Sequence, residues 1–531
     1  MKFNIEDNVL LSCEKDDNDS DAVVIPEGVT GIAQEAFKGN TDICKVTLPE
    51  TLVLIGREAF SECCSLESIN IPESVKDIGK AAFYGCYHLK DIVLPKGLIS
   101  IQDFAFGQTG IEKIDLPEGL EIIENSAFSH SCLTEITIPA SVKTIGHRAF
   151  AECRELKTVI LSEGLETIDD GAFSECWRLE SVDIPEGTKK IGGGAFYRSG
   201  VKKVTLPKSL RKIDSFAFGY TQLGAVEIPG GVEEIESIAF YHIPLKKIVL
   251  PDSVTKIGGD FVDSKVKVVL GENNPAMIQR NRYILSRDGK TLLRSANRKE
   301  AIIPEGVETI GPSAFSECCD LERVVMPSSV TKIDRLAFCS CKKLKEAILS
   351  PNIKTIEQHA FLHCSELGNL TLPESLEFLA DAFSSCNFER LVIPPRTVIT
   401  NDFFFWHDLE NIKKLTINLS ADDFPQDEFN KARNRDIAAK IIMGFVDGMN
   451  TGYPFGAEVI EMNHSRIRSM GTAMLLNFPE DFIYYTIKNR IITPETAEKL
   501  LELYNDISLS LRSAIAEYTA KSADPIDRFK L

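Results

Sequence analysis

Apolar and polar residues follow one fixed order that recurs along most of the chain. One copy begins at Leu66 and reads L-x-x-I-x-I-P-x-x-V-x-x-I-G-x-x-A-F-x-x-C, ending at Cys86. Its opening segment alternates apolar and polar positions, which predicts a strand with one buried face. Pro72 marks the end of that strand, because proline lacks the N–H donor that a ladder needs. The following residues, including the Ala82-Phe83 pair, are predicted to turn back toward the same interior.

The period can be read from phenylalanine, which recurs at steps of 22 or 23 residues. Self-similarity of this length is typical of a solenoid, in which each coil packs only on its neighbours. At the strand spacing of about 4.8 Å, each side chain lies over its equivalent in the next coil. The repeated residues are Phe37, Phe60, Phe83, Phe106, Phe128, Phe150, Phe173, Phe196, Phe218 and Phe240, then Phe315, Phe338, Phe361 and Phe383.

Interruptions of the period divide the chain into five segments. An apolar stretch with turn residues precedes the first coil and predicts a hairpin that caps the sheet edge. A second such stretch, with Asp-Gly between apolar runs, predicts another hairpin. The two repeat blocks form either one continuous superhelix or two solenoids with a joint. The predicted segments are an N-terminal capping hairpin at 1–22, repeat block 1 at 23–271, a hairpin insert at 272–300, repeat block 2 at 301–420 and a helical domain at 421–531.

The last segment changes its pattern from strand to helix. Ile437, Ile441 and Phe445 fall at helical spacing, and such a stripe predicts an amphipathic helix. Thr493 followed by Pro494 predicts an N-cap and the first helical position. We therefore expect four or five helices here, with a capping role at the far end of the solenoid. Further apolar stripes in this segment include Leu475, Phe482, Tyr485, Ile487, Leu500, Leu511 and Ile515.

The string IPxxVxxIGxxAFxxCxxL resembles the BspA-like class of leucine-rich repeats, and the resemblance covers about four-fifths of the chain. It implies an α/β repeat fold: a leucine-rich-repeat solenoid with a curved parallel sheet of about sixteen coils, here followed by a C-terminal α-helical domain. It also implies a role in protein–protein contact. Many members of that family are surface or secreted adhesion proteins.

Charge narrows the classes of partner. The formal net charge is −19, and an acidic chain repels the phosphates of nucleic acids and anionic membrane surfaces. The first residues include acids and lack the apolar core of a signal peptide. No window approaches the length of apolar sequence that a spanning helix needs. These observations predict a cytoplasmic protein without nucleic-acid binding or membrane insertion.

Eight cysteines form a column three residues after the repeated phenylalanine. A straight column places one sulfur in each coil, so four ligands cannot converge on a metal ion. Disulfides between neighbouring coils are disfavoured in a reducing compartment. Buried thiols that pack as small apolar groups are therefore the favoured interpretation, and no cofactor is predicted. The column contains Cys63, Cys86, Cys153, Cys176, Cys318, Cys341, Cys364 and Cys386.

Two further groups of residues are candidate ligand-binding sites. His359 and His363 have a spacing that could hold zinc on a helix, but both flank a core Ala-Phe pair, which predicts solvent-facing side chains. The run Gly192-Gly193-Gly194 lies in the repeat's own turn and lacks the Lys-Ser/Thr of a phosphate-binding loop.

An enzyme in the helical segment is a third hypothesis. Glu458, Glu461 and His464 lie three residues apart there. Nothing else near them suggests a catalytic arrangement, so we predict that the protein is not an enzyme.

The outward residues of the repeat strands are the favoured partner-binding candidates, because solenoids bind along the concave face of their sheet. The alternative is a solvated face without a partner, and the absence of aromatic anchors gives that alternative equal weight. The favoured function is a non-enzymatic scaffold that binds a protein or peptide; the alternative is an adhesion protein of the BspA-like type. The candidate residues are Asp91, Val93, Lys113, Asp115, Glu135, Thr137, Thr158, Ile160, Ser181, Asp183, Lys203, Thr205, Glu227, Lys247 and Val249.

Overall fold

The computed structural model describes residues 2–14, 21–394, 397–399, 414–417, 480–489, 491–503 and 509–522. The chain forms two compact units, Met1–Arg287 (unit 1) and Asp288–Leu531 (unit 2). Each is considered separately below.

Unit 1 is built from short strands, nearly all of them parallel to their neighbours. They are β1 (Lys2–Glu6), β2 (Val9–Glu14), β3 (Ala22–Val24), β4 (Gly31–Ile32), β5 (Lys45–Thr47), β6 (Leu54–Ile55), β7 (Ser68–Asn70), β8 (Asp77–Ile78), β9 (Ser100–Ile101), β10 (Ile122–Ile123), β11 (Glu135–Ile138), β12 (Thr144–Ile145), β13 (Thr158–Leu161), β14 (Thr167–Ile168), β15 (Ser181–Asp183), β16 (Lys190–Ile191), β17 (Lys203–Thr205), β18 (Lys212–Ile213), β19 (Glu234–Ile235), β20 (Lys247–Leu250), β21 (Lys256–Ile257), β22 (Lys267–Leu270), β23 (Met277–Arg280) and β24 (Tyr283–Ser286).

The first side of each coil carries the strand that the alternating pattern predicts. In β3, β5 and β7 the central residues Val23, Val46 and Ile69 pair in register and are buried, while the flanking residues point outward. Over the next two coils, the ladder shrinks to isolated bridges that join Ser68 to Asp91 and Asp91 to Lys113. It resumes in the pairs β11–β13, β15–β17 and β20–β22. This first sheet is therefore parallel but discontinuous.

The second side of the coil carries another parallel sheet. The prediction of a single sheet is therefore incomplete. The inward isoleucine after the proline turn belongs to a two-residue strand of its own. Strands β9, β10, β12, β14, β16, β18, β19 and β21 form one eight-stranded sheet in this position. Ile145, Ile168 and Ile191 pair in register within it and are fully buried. The solenoid of about sixteen coils is confirmed, with two sheets rather than one.

The third side of the coil carries the phenylalanines. Successive rings from Phe37 to Phe240 stack with centroids 4.9–5.5 Å apart. The N–H of Phe60 donates to the carbonyl of Ala82 in the next coil, at 2.8 Å, and the same bond recurs in neighbouring coils. The backbone there takes left-handed turns two residues before and after the phenylalanine, as at Glu58 (φ 54°) and Glu62 (φ 60°). These turns aim alternate N–H groups at the next coil.

Antiparallel hairpins occur at both ends of unit 1. Strands β1 and β2 pair antiparallel, and β2 continues in parallel onto β4, where Leu10 pairs with Ile32. At the other end β23 pairs antiparallel with β24. The acidic stretch at 15–20 lies outside the described residues.

Unit 2 repeats the same coil. Its strands are β25 (Thr291–Ser295), β26 (Glu300–Ile302), β27 (Thr309–Ile310), β28 (Arg323–Val325), β29 (Lys332–Ile333), β30 (Glu346–Ile348), β31 (Thr355–Ile356), β32 (Asn369–Thr371), β33 (Phe378–Leu379), β34 (Arg390–Ile393), β35 (Val398–Ile399) and β36 (Lys414–Ile417). Strands β26, β28 and β30 form the first sheet and β27, β29, β31, β33 and β35 lie in the second. The rings of Phe315, Phe338, Phe361 and Phe383 stack 4.8–5.5 Å apart.

Three described helices follow, α1 (Glu480–Lys488), α2 (Pro494–Leu503) and α3 (Leu509–Ser522). The predicted cap of α2 is confirmed, since the N–H of Thr496 donates to Thr493 Oγ1 at 3.2 Å. Leu500 and Ile515 of the predicted stripes are buried. The stripe at Ile437–Phe445 lies outside the described residues.

The buried and exposed phenylalanines of one coil provide a test of the ring stack. Phe106 is fully buried, whereas Phe104 is 37% exposed and contacts Tyr84 edge-on. We expect Phe106→Ala to lower the free energy of unfolding by about 3–5 kcal/mol, because it opens a cavity in the stack. Urea unfolding followed by circular dichroism measures the change. Phe104→Ala is the matched control, and a cost equal to that of Phe106→Ala would contradict the account.

Candidate partner-binding face

The first sheet presents one row of outward side chains per coil, and this surface is called the strand face. All fifteen candidate residues are exposed, and all but Val93, Asp115 and Glu227 lie in strands or isolated bridges of the first sheet. Registered pairs such as Glu135 with Thr158 and Thr137 with Ile160 show that they form two columns. Their position on a concave face and their binding of a partner stay predictions.

Two adjoining grooves lie along this face. The larger encloses about 790 Å³ and is lined by residues of four successive coils, Lys45–Thr47, Ser68–Ile71, Asp91–Leu94 and Lys113–Asp115. The smaller encloses about 390 Å³ and continues from Lys113–Asp115 to Ile160. The larger groove lies where the first sheet is reduced to isolated bridges. The interrupted ladder and the groove therefore coincide.

The larger groove combines an aliphatic centre with charged walls. Val93 lies within it and is 79% exposed. Lys113 Nζ lies 2.6 Å from Glu135 Oε1, and the hydrogen bond to Glu135 raises the pKa of the Lys113 ammonium. Asn70 uses its side-chain amide to bond both the N–H and the carbonyl of Leu48, at 2.8 and 3.2 Å. That amide holds one wall of the groove in place.

The cysteine column lies in the interior, next to the ring stack. Cys86 Sγ donates to the carbonyl of Phe60 in the preceding coil at 3.1 Å, and Cys176 does the same to Phe150. Burial raises the pKa of the Cys63 and Cys153 thiols to about 12, so both are protonated at neutral pH. The thiols pack as predicted, and in addition they satisfy buried carbonyl groups, which the sequence columns did not reveal.

In three coils that are one residue shorter, a hydroxyl group instead of a thiol donates to the phenylalanine carbonyl. Thr109, Ser199 and Thr221 occupy the cysteine position there. Each hydroxyl donates to the phenylalanine carbonyl of its own coil, at 2.9, 2.7 and 2.8 Å. A thiol or hydroxyl at this position thus provides a donor for a buried carbonyl in either type of coil.

The candidate histidine pair and the glycine run do not form a binding site. His363 is exposed, and His359 is half-buried with Nε2 3.4 Å from Asp381 Oδ2. Gly192 lies so close to Asp170 of the preceding coil that a Cβ would meet its backbone nitrogen at 2.6 Å, which accounts for the glycine. Within the described ranges, no cluster of three His, Cys, Asp or Glu side chains could hold a metal ion.

The enzyme hypothesis depends on three residues of the C-terminal segment. Glu458, Glu461 and His464 lie outside the described residues.

Sequence columns missed a cluster of aromatic side chains on the outer surface of the turns. The rings of Tyr197, Tyr220 and Tyr241 are each 5.4–5.6 Å from the next, and Phe216 joins them edge-on. Arg198 lies over Tyr220 at 5.5 Å. The signal is present in the sequence at the positions that flank the repeated phenylalanine, which the strand columns do not include.

The repeat places the chain in a known family. The BspA type Leucine rich repeat region, a pattern of six copies, matches residues 13–132, 121–243 and 289–410. The protein belongs to this BspA-type leucine-rich repeat family, and the resemblance inferred from the motif is confirmed.

Several solved structures are similar to this chain. A leucine-rich repeat protein from Bacteroides ovatus is 24% identical, covers 75% of this chain and 88% of its own, and has a TM-score of 0.40. A leucine rich cell surface protein from Faecalibacterium prausnitzii is 22% identical, with 81% and 94% covered and a TM-score of 0.40. A leucine-rich repeat protein from Eubacterium ventriosum is 20% identical, with 61% and 83% covered and a TM-score of 0.41. No curated protein matches the chain.

A membrane-spanning segment would require one of the helices to be long and apolar. Among those in the described part of the chain, none is both long and apolar enough to cross a bilayer.

Thiol labelling tests the packing of the column. We expect Cys132, which is exposed, to react with a maleimide at pH 7.5 while the eight column cysteines stay protected in the folded protein. Protection is expected because burial keeps these thiols protonated and inaccessible. Mass spectrometry of labelled peptides before and after unfolding in guanidinium measures it. Cys132→Ser removes the fast reaction as a control, and rapid labelling of Cys86 or Cys176 in the folded protein would contradict the packing.

Proposed function

We propose that the protein is a non-enzymatic scaffold that binds a protein or peptide partner along the strand face of unit 1. The observation that carries the proposal is the pair of adjoining grooves, which run across successive coils from Lys45 to Ile160. Their volumes lie in the range of specific binding sites. A groove that extends over several coils suits an extended partner segment better than a single small molecule.

The composition of the face supports a partner with mixed character. Val93 and Ile160 are aliphatic and exposed, so their burial by a partner would be favourable. Lys45, Asp91 and Asp115 line the larger groove together with Val93. Charges of both signs favour a partner segment that carries complementary charges around a small apolar side chain, because such charges determine orientation and specificity. The family's use of its repeats as binding scaffolds is consistent with this proposal.

Site-specific photocrosslinking in the cells that naturally make the protein tests the face. With a photoreactive amino acid at position 93 or 160, we expect covalent adducts to the same partner protein. Placement at Ile99, which is exposed directly before β9 of the second sheet, or at Ile302, which is exposed on the first sheet of unit 2, provides matched controls. Adducts that form equally at all four positions would contradict the proposal.

The binding contribution can then be measured on the identified partner. Val93→Asp introduces a charge at the centre of the larger groove, and we expect it to weaken binding at least roughly tenfold, which corresponds to about 1.4 kcal/mol. Ile302→Asp is the control and is expected to leave the affinity unchanged. Isothermal titration calorimetry gives both values.

We infer that this scaffold acts in the cytoplasm rather than as an adhesion protein at the cell surface. The support is the cysteine column, in which the thiols of Cys86, Cys153 and Cys176 donate hydrogen bonds to backbone carbonyls of preceding coils. Disulfides persist mainly in oxidising compartments, so thiols that serve as hydrogen-bond donors suit a reducing one.

Cell fractionation with protease treatment of intact cells tests the location. We expect the protein in the cytosolic fraction and resistant to added protease until the cells are lysed. A known surface protein of the same cells serves as the positive control for digestion. Loss of the protein from intact cells under conditions that spare a cytosolic marker would instead support the adhesion role.

A further inference from the structure

Strand β1 has one free edge. It is the outermost strand of the sheet β1-β2-β4-β6-β8. One edge pairs with β2, and within the described part of unit 1 no strand pairs with the other. The irregularity in the pairing belongs to β2, since Asn4 pairs with Ser12 and Ile5 with Leu10, which leaves Leu11 as the extra residue. The backbone of β1 is therefore regular, and its free N–H and C=O groups form a template for another strand.

The side chains of β1 make it complementary to itself. The strand reads Lys2, Phe3, Asn4, Ile5 and Glu6. When two copies pair antiparallel about a two-fold axis at Asn4, Lys2 faces Glu6 of the second copy, and Phe3 faces its Ile5. The symmetry repeats both pairs on the other side of the axis. A parallel pairing would instead place like charges together, which is unfavourable.

The two faces of this pairing differ in chemistry. Alternation along the strand puts Phe3 and Ile5 on one face and Lys2, Asn4 and Glu6 on the other. Phe3 is half-buried and Ile5 is 38% exposed, so both retain apolar surface that a second strand can cover. The opposite face would carry two ion pairs. Opposite charges and apolar side chains placed directly across two strands both stabilise the pairing.

We propose that two copies of this protein associate end to end through antiparallel pairing of their β1 strands. The five-stranded sheet of one copy then continues into that of the other, and the free edge of each is closed. The interface is isologous, so it ends at the dimer and does not propagate into a fibre. This association uses the N-terminal hairpin and is independent of any partner on the strand face.

Sedimentation velocity on the 531-residue chain, with any affinity tag at the C-terminus, tests the proposal. As protein concentration rises, we expect the mass to increase from the monomer value of 58.9 kDa toward twice that value. The exposed ion pairs predict weaker association at higher salt. A chain that stays monomeric at every concentration tested would overturn the proposal and leave the edge for another kind of partner.

Charge exchange at the ends of β1 separates this interface from any other. Lys2→Glu alone and Glu6→Lys alone each convert two attractive pairs into two repulsive pairs. We expect each to weaken dimerisation at least roughly tenfold. The double variant Lys2→Glu/Glu6→Lys restores opposite charges across the axis and is expected to dimerise as the natural chain does.

Mixing the two single variants is the most specific test of this interface. One copy then offers two acids and the other two lysines, so both cross-strand pairs become attractive again. We expect a heterodimer to form in the mixture at concentrations where each variant alone dimerises at least roughly tenfold more weakly than the natural chain. Thermal unfolding of each variant checks that the hairpin is intact. Dimerisation that is indifferent to the single charge changes, or a mixture that stays monomeric, would refute pairing through β1.

Discussion

The structure depends on the in-register stacking of identical side chains from coil to coil. A single coil has too little interior to bury its own phenylalanine, and only its neighbours complete the enclosure. The ring stack of unit 1 shows the result, with Phe106 and Phe173 both fully buried between equivalent rings. Because every ring rests on the next, the period is constrained to 22 or 23 residues. In unit 1 the loss of one residue falls between the phenylalanine and the following strand, as between Phe106 and Ile114. In unit 2 it falls between Leu379 and Phe383.

The same stacking leaves the coils with buried polar groups that need hydrogen-bond partners. Tight turns beside the stack leave backbone carbonyls in the interior, and buried carbonyls need donors. In longer coils a thiol reaches the preceding coil, as from Cys86 to Phe60, whereas in shorter coils a hydroxyl such as that of Thr109 bonds within its own coil. The column that first suggests redox or metal chemistry is thus part of the packing. The raised thiol pKa values follow from that position.

Function is left to side chains that packing does not constrain. Inward positions repeat the same few residues, while outward positions vary in charge and size from coil to coil. The strand face carries Val93 beside Asp91 and Lys113 in the larger groove, and the turn surface carries the tyrosine cluster. The end of the solenoid presents β1. A scaffold of this kind can change its binding surfaces without disturbing the stack that supports them.

The sequence by itself determined the solenoid, its inward residues and the outward columns, because burial alternates at a period that can be counted along one chain. The exposure of Val93 and the burial of Ile92 could be assigned in this way. Only the tertiary structure decided the features that depend on how coils approach one another. These include the second sheet, the bond from Cys86 to the preceding coil and the groove at the interrupted ladder. Hydrogen bonds and concavity arise between residues some 20 positions apart, where small shifts in spacing leave no mark on the hydrophobic pattern.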